Sequence, residues 1–169
     1  DTQDADLQEI HDKAYELLTG LTEELPQDVP LKRQLLKCPQ MTENPEKAQQ
    51  IIDRIKTLEG DEGWQWRYEQ ARLWFQTADI DDYATRIITL LEENLRKDPS
   101  DQASRMLLGF TYDKSGKPRL AVSTFRDALD RAPRNLEIII PTVTALYEIN
   151  DYDTAQQIIQ RAEQQGLFS

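Results

Sequence analysis

Apolar residues recur along this chain at intervals of three and four positions, which is the spacing of one face of an α-helix. The clearest stripes are Leu108 and Tyr112; then Ala121, Phe125 and Ala128; then Ala155, Ile159 and Ala162. No segment shows convincingly the strict alternation that is typical of a half-buried strand. The pattern therefore predicts an all-α protein.

The second and third stripes repeat each other at a distance of 34 residues. The same distance separates Tyr112 from Leu146, Gly116 from Asn150 and Pro99 from Pro133. A period of about 34 residues is typical of a repeat built from two antiparallel helices. In such a unit, Gly116 suits the turn between the helices and Pro133 ends the second one.

The unit over residues 102–135 resembles the tetratricopeptide repeat (TPR) family. The resemblance rests on Leu108, Gly109, Tyr112, Gly116, Ala121, Phe125, Ala128 and Pro133 at the family's spacing, and Arg105 departs from it where the family usually has Trp. The small residues Gly109 and Ala121 let two helices approach closely. The resemblance implies a right-handed α-solenoid of antiparallel helix pairs.

We predict a further repeat at 136–169, and another at 63–101 with an insertion and an aromatic first helix. Residues 1–62 are predicted to be degenerate TPR-like helices or an N-terminal cap, with a short helix at 31–37. All of these form one continuous solenoid domain in this interpretation, cut from a longer protein. Pro141 is expected to bend or delay the first helix of the last repeat, because proline lacks the backbone N–H.

The resemblance implies that partner peptides bind on the concave side, which the first helix of each repeat lines. The candidate groove comprises Ala103, Met106, Phe110, Asp113, Lys114, Glu137, Ile140, Thr144 and Tyr147. Its apolar members need an explanation if they face solvent. A neighbouring helix or a second copy of the chain is the competing explanation. Members of the family that clamp a carboxylate use Lys and Asn on these faces, so that type of site is disfavoured here.

Composition excludes several other functions. Against 31 Asp and Glu there are 20 Lys and Arg, and the formal net charge of −11 argues against nucleic acid and against an anionic membrane surface. With one Cys and one His, the chain has no disulfide framework, no Cys/His zinc site and no triad around a second His. No apolar run reaches the ~20 residues that cross a bilayer. We therefore predict no catalytic residue, no cofactor and no metal; cytoplasm and cell envelope are both allowed.

Three further features have structural interpretations. The aromatic residues of the helix at 63–77 (Trp64, Trp66, Tyr68, Trp74 and Phe75) are expected to pack in the core. Cys38 is expected to be a buried thiol and His11 a solvated side chain, while Asp79 begins a helix. The basic segment 102–135 and the acidic first 62 residues suggest an acidic partner or a head-to-tail contact, although solvated helix faces explain the same pattern.

The sequence thus predicts a non-catalytic protein–protein interaction module. Two alternatives stay open: a scaffold that self-associates through the same apolar face, and a helical accessory domain of a larger enzyme.

Overall fold

The computed structural model describes residues 2–167, and side chains from residue 7 onward. This part of the chain contains ten α-helices and no strand. The helices are α1 (Thr2–Glu24), α2 (Val29–Leu35), α3 (Pro39–Glu43), α4 (Pro45–Glu59), α5 (Trp64–Thr77), α6 (Ile80–Lys97), α7 (Gln102–Lys114), α8 (Pro118–Arg131), α9 (Leu136–Glu148) and α10 (Tyr152–Gln164). The prediction of an all-α chain is confirmed. The helices form two compact units, residues 1–78 and 79–169.

The first unit is built around a core that α2, α3 and α4 share with α5. Its most deeply buried members include Leu35, Met41, Ile52 and Ile55. The prediction of a single helix at 31–37 is wrong, because α2 ends at Leu35 and α3 begins at Pro39. Proline suits the first position of a helix, where its missing N–H costs nothing.

Helix α5 buries polar groups where the sequence predicted aromatic ones. Glu69 is 1% exposed and accepts hydrogen bonds from Arg33 Nε at 2.9 Å and Arg72 Nε at 2.8 Å. Trp64 is 46% exposed, and the Arg33 guanidinium lies 5.0 Å from its ring centroid. None of the five aromatic residues is fully buried. They cover the edges of this charged network instead, which is favourable because a cation is attracted to an aromatic face.

In the second unit, consecutive helices from α6 to α10 pack against one another. The core includes Phe125, Leu146 and Ala155. Gly109 lies directly against the Phe125 ring, since a Cβ at that position would be 2.3 Å from Phe125 Cε1. The close approach predicted for Gly109 is therefore present.

The turns after α7 and α9 have the same geometry. Lys117 N–H donates to Tyr112 O at 2.9 Å, and 34 residues later Asp151 N–H donates to Leu146 O at 2.9 Å. Each turn contains a residue with positive φ, Gly116 at 71° and Asn150 at 61°. This bond pattern closes a helix C-terminus and requires a left-handed residue at that point.

Pro141 does not delay its helix, because α9 begins at Leu136. The proline lies within α9 and removes one backbone donor there. The last helix pairs start with side-chain caps, in which Asp101 accepts from Ser104 N–H, Asn135 from Glu137 N–H and Asp151 from Thr154 N–H. Asp79 likewise accepts from Asp81 N–H, so its predicted role as a helix cap is confirmed.

Candidate functional site

One face of α7 and α9 presents large apolar side chains to solvent. Phe110 is 37% exposed, Ile140 57% and Tyr147 51%. The opposite faces of the same helices bury Leu108 and Leu146 in the core. Each helix is thus apolar on two sides, and packing within the chain uses only one of them. We call the exposed set Phe110, Ile140 and Tyr147 the α7–α9 face.

Two of these rings are held in position by aromatic neighbours. Phe110 meets Phe125 edge to face at 5.1 Å between centroids, and Tyr147 meets Tyr152 in the same way at 5.3 Å. Such pairs contribute about 0.5–1.5 kcal/mol beyond the area that they bury. A partner that binds here would meet pre-ordered rings, so little side-chain entropy would be lost on binding.

The other predicted groove residues are placed differently. Met106 packs against the core and is only half exposed, whereas the exposed members are Ala103, Lys114, Glu137 and Thr144. Thr144 Oγ1 donates to Ile140 O at 3.0 Å, so its hydroxyl is already engaged. Met106 therefore contributes mainly to packing, and the exposed apolar area comes from the α7–α9 face.

Carboxyl groups meet at the C-terminal ends of α7 and α9. The side chains of Asp113 and Glu148 are hydrogen-bonded to each other, and this bond raises the pKa of Glu148, with smaller contributions from burial and from repulsion by the Asp113 charge. Asp113 Oδ1 is buried and has no hydrogen-bond partner. Both groups lie at helix ends where backbone carbonyls already concentrate negative potential. This end of the α7–α9 face is electronegative.

A second concave feature lies between α8 and α10, and sequence analysis missed it. It is a cleft of about 280 Å³ with Leu129, Ile139 and Ile158 among its walls and Arg161 and Asp130 at its polar side. Arg126 extends the polar lining in an adjoining cavity. Leu129 and Ile158 fall outside the 34-residue stripes, so the only signal in the sequence was two apolar residues without an assigned partner.

The described residues hold no cluster of three or more His, Cys, Asp or Glu side chains that could ligate a metal. His11 is exposed, as expected. Cys38 is buried, and burial raises the pKa of its thiol, which makes the thiolate nucleophile less available. Among the helices that the structure describes, none combines the length and apolar character that a bilayer crossing requires.

Comparison of the fold with solved structures gives consistent neighbours. MamA from Desulfovibrio magneticus RS-1 (residues 41 to the end) superimposes with a TM-score of 0.68 at 16% identity, over 96% of this chain and 89% of that one. YrrB, described as a TPR protein with an unusual peptide-binding site, gives 0.64 at 17% identity, over 90% and 76%. This chain has the TPR fold. PilF from Pseudomonas aeruginosa is a third neighbour, with a TM-score of 0.62 at 14% identity, over 93% of this chain and 77% of that one.

No family model matches the sequence, and no curated protein does. Similarity at 14–17% identity concerns the fold, so function has to be argued from the surfaces of this TPR chain itself.

Proposed function

We propose that this chain is a non-catalytic protein-interaction module that binds an extended or helical peptide segment on the α7–α9 face. The observation that carries the proposal is the exposure of Phe110, Ile140 and Tyr147 on helices whose other faces are fully buried. Contiguous exposed apolar side chains are uncommon on monomers and mark interaction surfaces. YrrB, which has a peptide-binding site on the same fold, supports this use of the scaffold.

The absence of an enzyme mechanism in the proposal rests on the chemistry at this surface. Its polar members are a carboxyl pair, a threonine hydroxyl bonded to its own helix and the side chains of Lys114 and Glu137. The surface has no histidine, cysteine or oxyanion-binding turn beside a nucleophile. Shape and charge complementarity are therefore the proposed means of action.

The experiment is selection of a random peptide library displayed on phage against the immobilised chain, followed by affinity measurement with synthetic copies of the selected peptides. Ile140→Glu should reduce affinity by more than tenfold, because a charge would be placed among desolvated apolar groups. The matched control is Leu120→Glu on α8, since Leu120 is also a half-exposed aliphatic side chain, at 49% exposure. Equal affinity of the two variants, or no enriched peptide at all, would refute the proposal.

Self-association is the second candidate, favoured by a different surface. Helix α1 exposes Leu7 at 49%, Ile10 at 60% and Leu17 at 63%, positions that fall on one helical face. Light scattering over a wide concentration range separates the candidates. A mass that rises with concentration, and falls again in Leu17→Glu but not in Ile140→Glu, would assign self-association to α1 and leave the α7–α9 face to a peptide.

A further inference from the structure

We infer that the peptide bound by the α7–α9 face carries a lysine or arginine, whose cation lies against the carboxyl groups of Asp113 and Glu148 at the end of that face. The inference rests on the proposed function and adds the chemical class of the partner and the direction in which it binds. The carboxylate clamp known in this fold requires basic residues to hold an acidic group, so the chemistry inferred here has the opposite sign.

The first support is the uncompensated negative charge at this site. Asp113 and Glu148 come from different helices and pair with each other rather than with a cation. Two ionised carboxylates in contact repel, so a protein that gains nothing from the arrangement is better served by a neutral residue at either position. Groups whose proton affinity is altered in this way are typical of functional sites.

The second support is the direction of the two helices. Asp113 lies one residue before the end of α7, and Glu148 is the last residue of α9. The terminal carbonyls of both helices therefore add partial negative charge beside the carboxyl groups, and a cation at this point interacts favourably with all four contributions. The buried Asp113 Oδ1 adds an acceptor that no donor within the described residues satisfies.

The third support is proximity to the apolar part of the face. Asp113 follows Phe110 by three residues, which places both on one side of α7, and Glu148 follows Tyr147 directly. A peptide with apolar side chains on the α7–α9 face thus reaches the carboxyl pair within a few residues. The long methylene chain of lysine or arginine suits this path, because it packs on the rings and keeps its charge at the polar end.

The same phage selection tests the inference. We expect lysine or arginine to be enriched at one fixed distance from the apolar positions of the selected peptides. The double variant Asp113→Asn/Glu148→Gln should weaken the best peptide about fivefold, with the loss abolished when the peptide cation is replaced by glutamine. Affinity for the unchanged chain should also fall with added salt, and this dependence should be weaker in the double variant.

Glu163→Gln on α10 is the charge-matched control, since Glu163 is exposed and lies on the second helix of its pair. It should bind the peptide as the unchanged chain does. Peptides that are enriched and sensitive to Ile140→Glu but lack a preferred cation would overturn this inference and leave the proposed function intact. A peptide cation whose replacement costs the same in the double variant would overturn it as well. If no peptide is enriched, the proposed function itself fails.

Discussion

Replacing Gly109 by alanine tests the packing that defines the best-matched helix pair. The new Cβ would lie 2.3, 2.7 and 2.9 Å from three carbon atoms of the Phe125 ring. Carbon atoms pack at ~3.5–4.0 Å, so the ring would have to move by more than ~1 Å. Phe125 is 1% exposed and is held edge to face by Phe110, which leaves it little room to do so.

Two opposing effects decide the magnitude. Alanine improves helix propensity over glycine by about 1 kcal/mol, whereas overpacking a core costs about 1–3 kcal/mol. Because three ring atoms clash at once, we expect the upper half of that range and a net loss of about 1–2 kcal/mol. For a unit of this size, such a loss lowers the melting temperature by roughly 5–10 °C.

The assay is urea and thermal unfolding followed by circular dichroism at 222 nm. Gly20→Ala is the matched control, because Gly20 lies within α1 and nothing is within 4 Å of its added Cβ. This control should gain up to about 1 kcal/mol. Phe125→Leu should cost less in the Gly109→Ala background than alone, since it makes space for the new methyl group. Gly109→Trp should disrupt the helix pair outright. A Gly109→Ala variant as stable as the unchanged chain would refute the reasoning.

Three further predictions concern single sites. Glu69→Ala should lower the free energy of unfolding by about 3 kcal/mol, because it leaves two partly buried arginines without their shared carboxylate; tryptophan fluorescence follows it, as all three tryptophans lie in the same helix, and an effect below 1 kcal/mol would contradict it. The raised pKa of Glu148 means that the folded state binds this proton more tightly, so stability is full below the carboxyl's ordinary pKa and falls as pH rises through the folded value. Glu148→Gln should remove that fall and melt higher at pH 7, while weakening the peptide; equal pH profiles would contradict it. Gly116→Ala should cost about 1 kcal/mol in urea unfolding from its φ of +71° alone, since its Cβ would have open space, and Gly116→Asn should cost less.

The helices of the second unit could be predicted well because each one carries its own signal. A stripe such as Ala121, Phe125 and Ala128 reports which side of a helix is apolar, and Pro133 and Gly116 mark where helices stop. These are properties of residues near one another in the chain, so no knowledge of the neighbours is needed. The exposed side of α7 and α9 followed from the same periodicity.

Helix α5 shows where such reasoning fails. Its aromatic residues suggested a buried helix, but the structure buries Glu69 instead. A carboxylate is buried only when cations reach it, and one of those cations, Arg33, comes from a helix 36 residues earlier. Periodicity within α5 contains no information about that partner.

Local pattern in the chain was enough to establish an all-helical protein with a 34-residue period, a TPR resemblance, a net charge of −11 and an apolar face that packing within each helix pair does not use. Which polar groups meet became visible only in the folded chain: Glu69 with its two arginines, Asp113 with Glu148, and the walls of the cleft between α8 and α10. The physical reason is that helical periodicity is a local property of the backbone. Contacts between side chains on different helices depend on how those helices pack, and that packing arises only when the whole core is assembled.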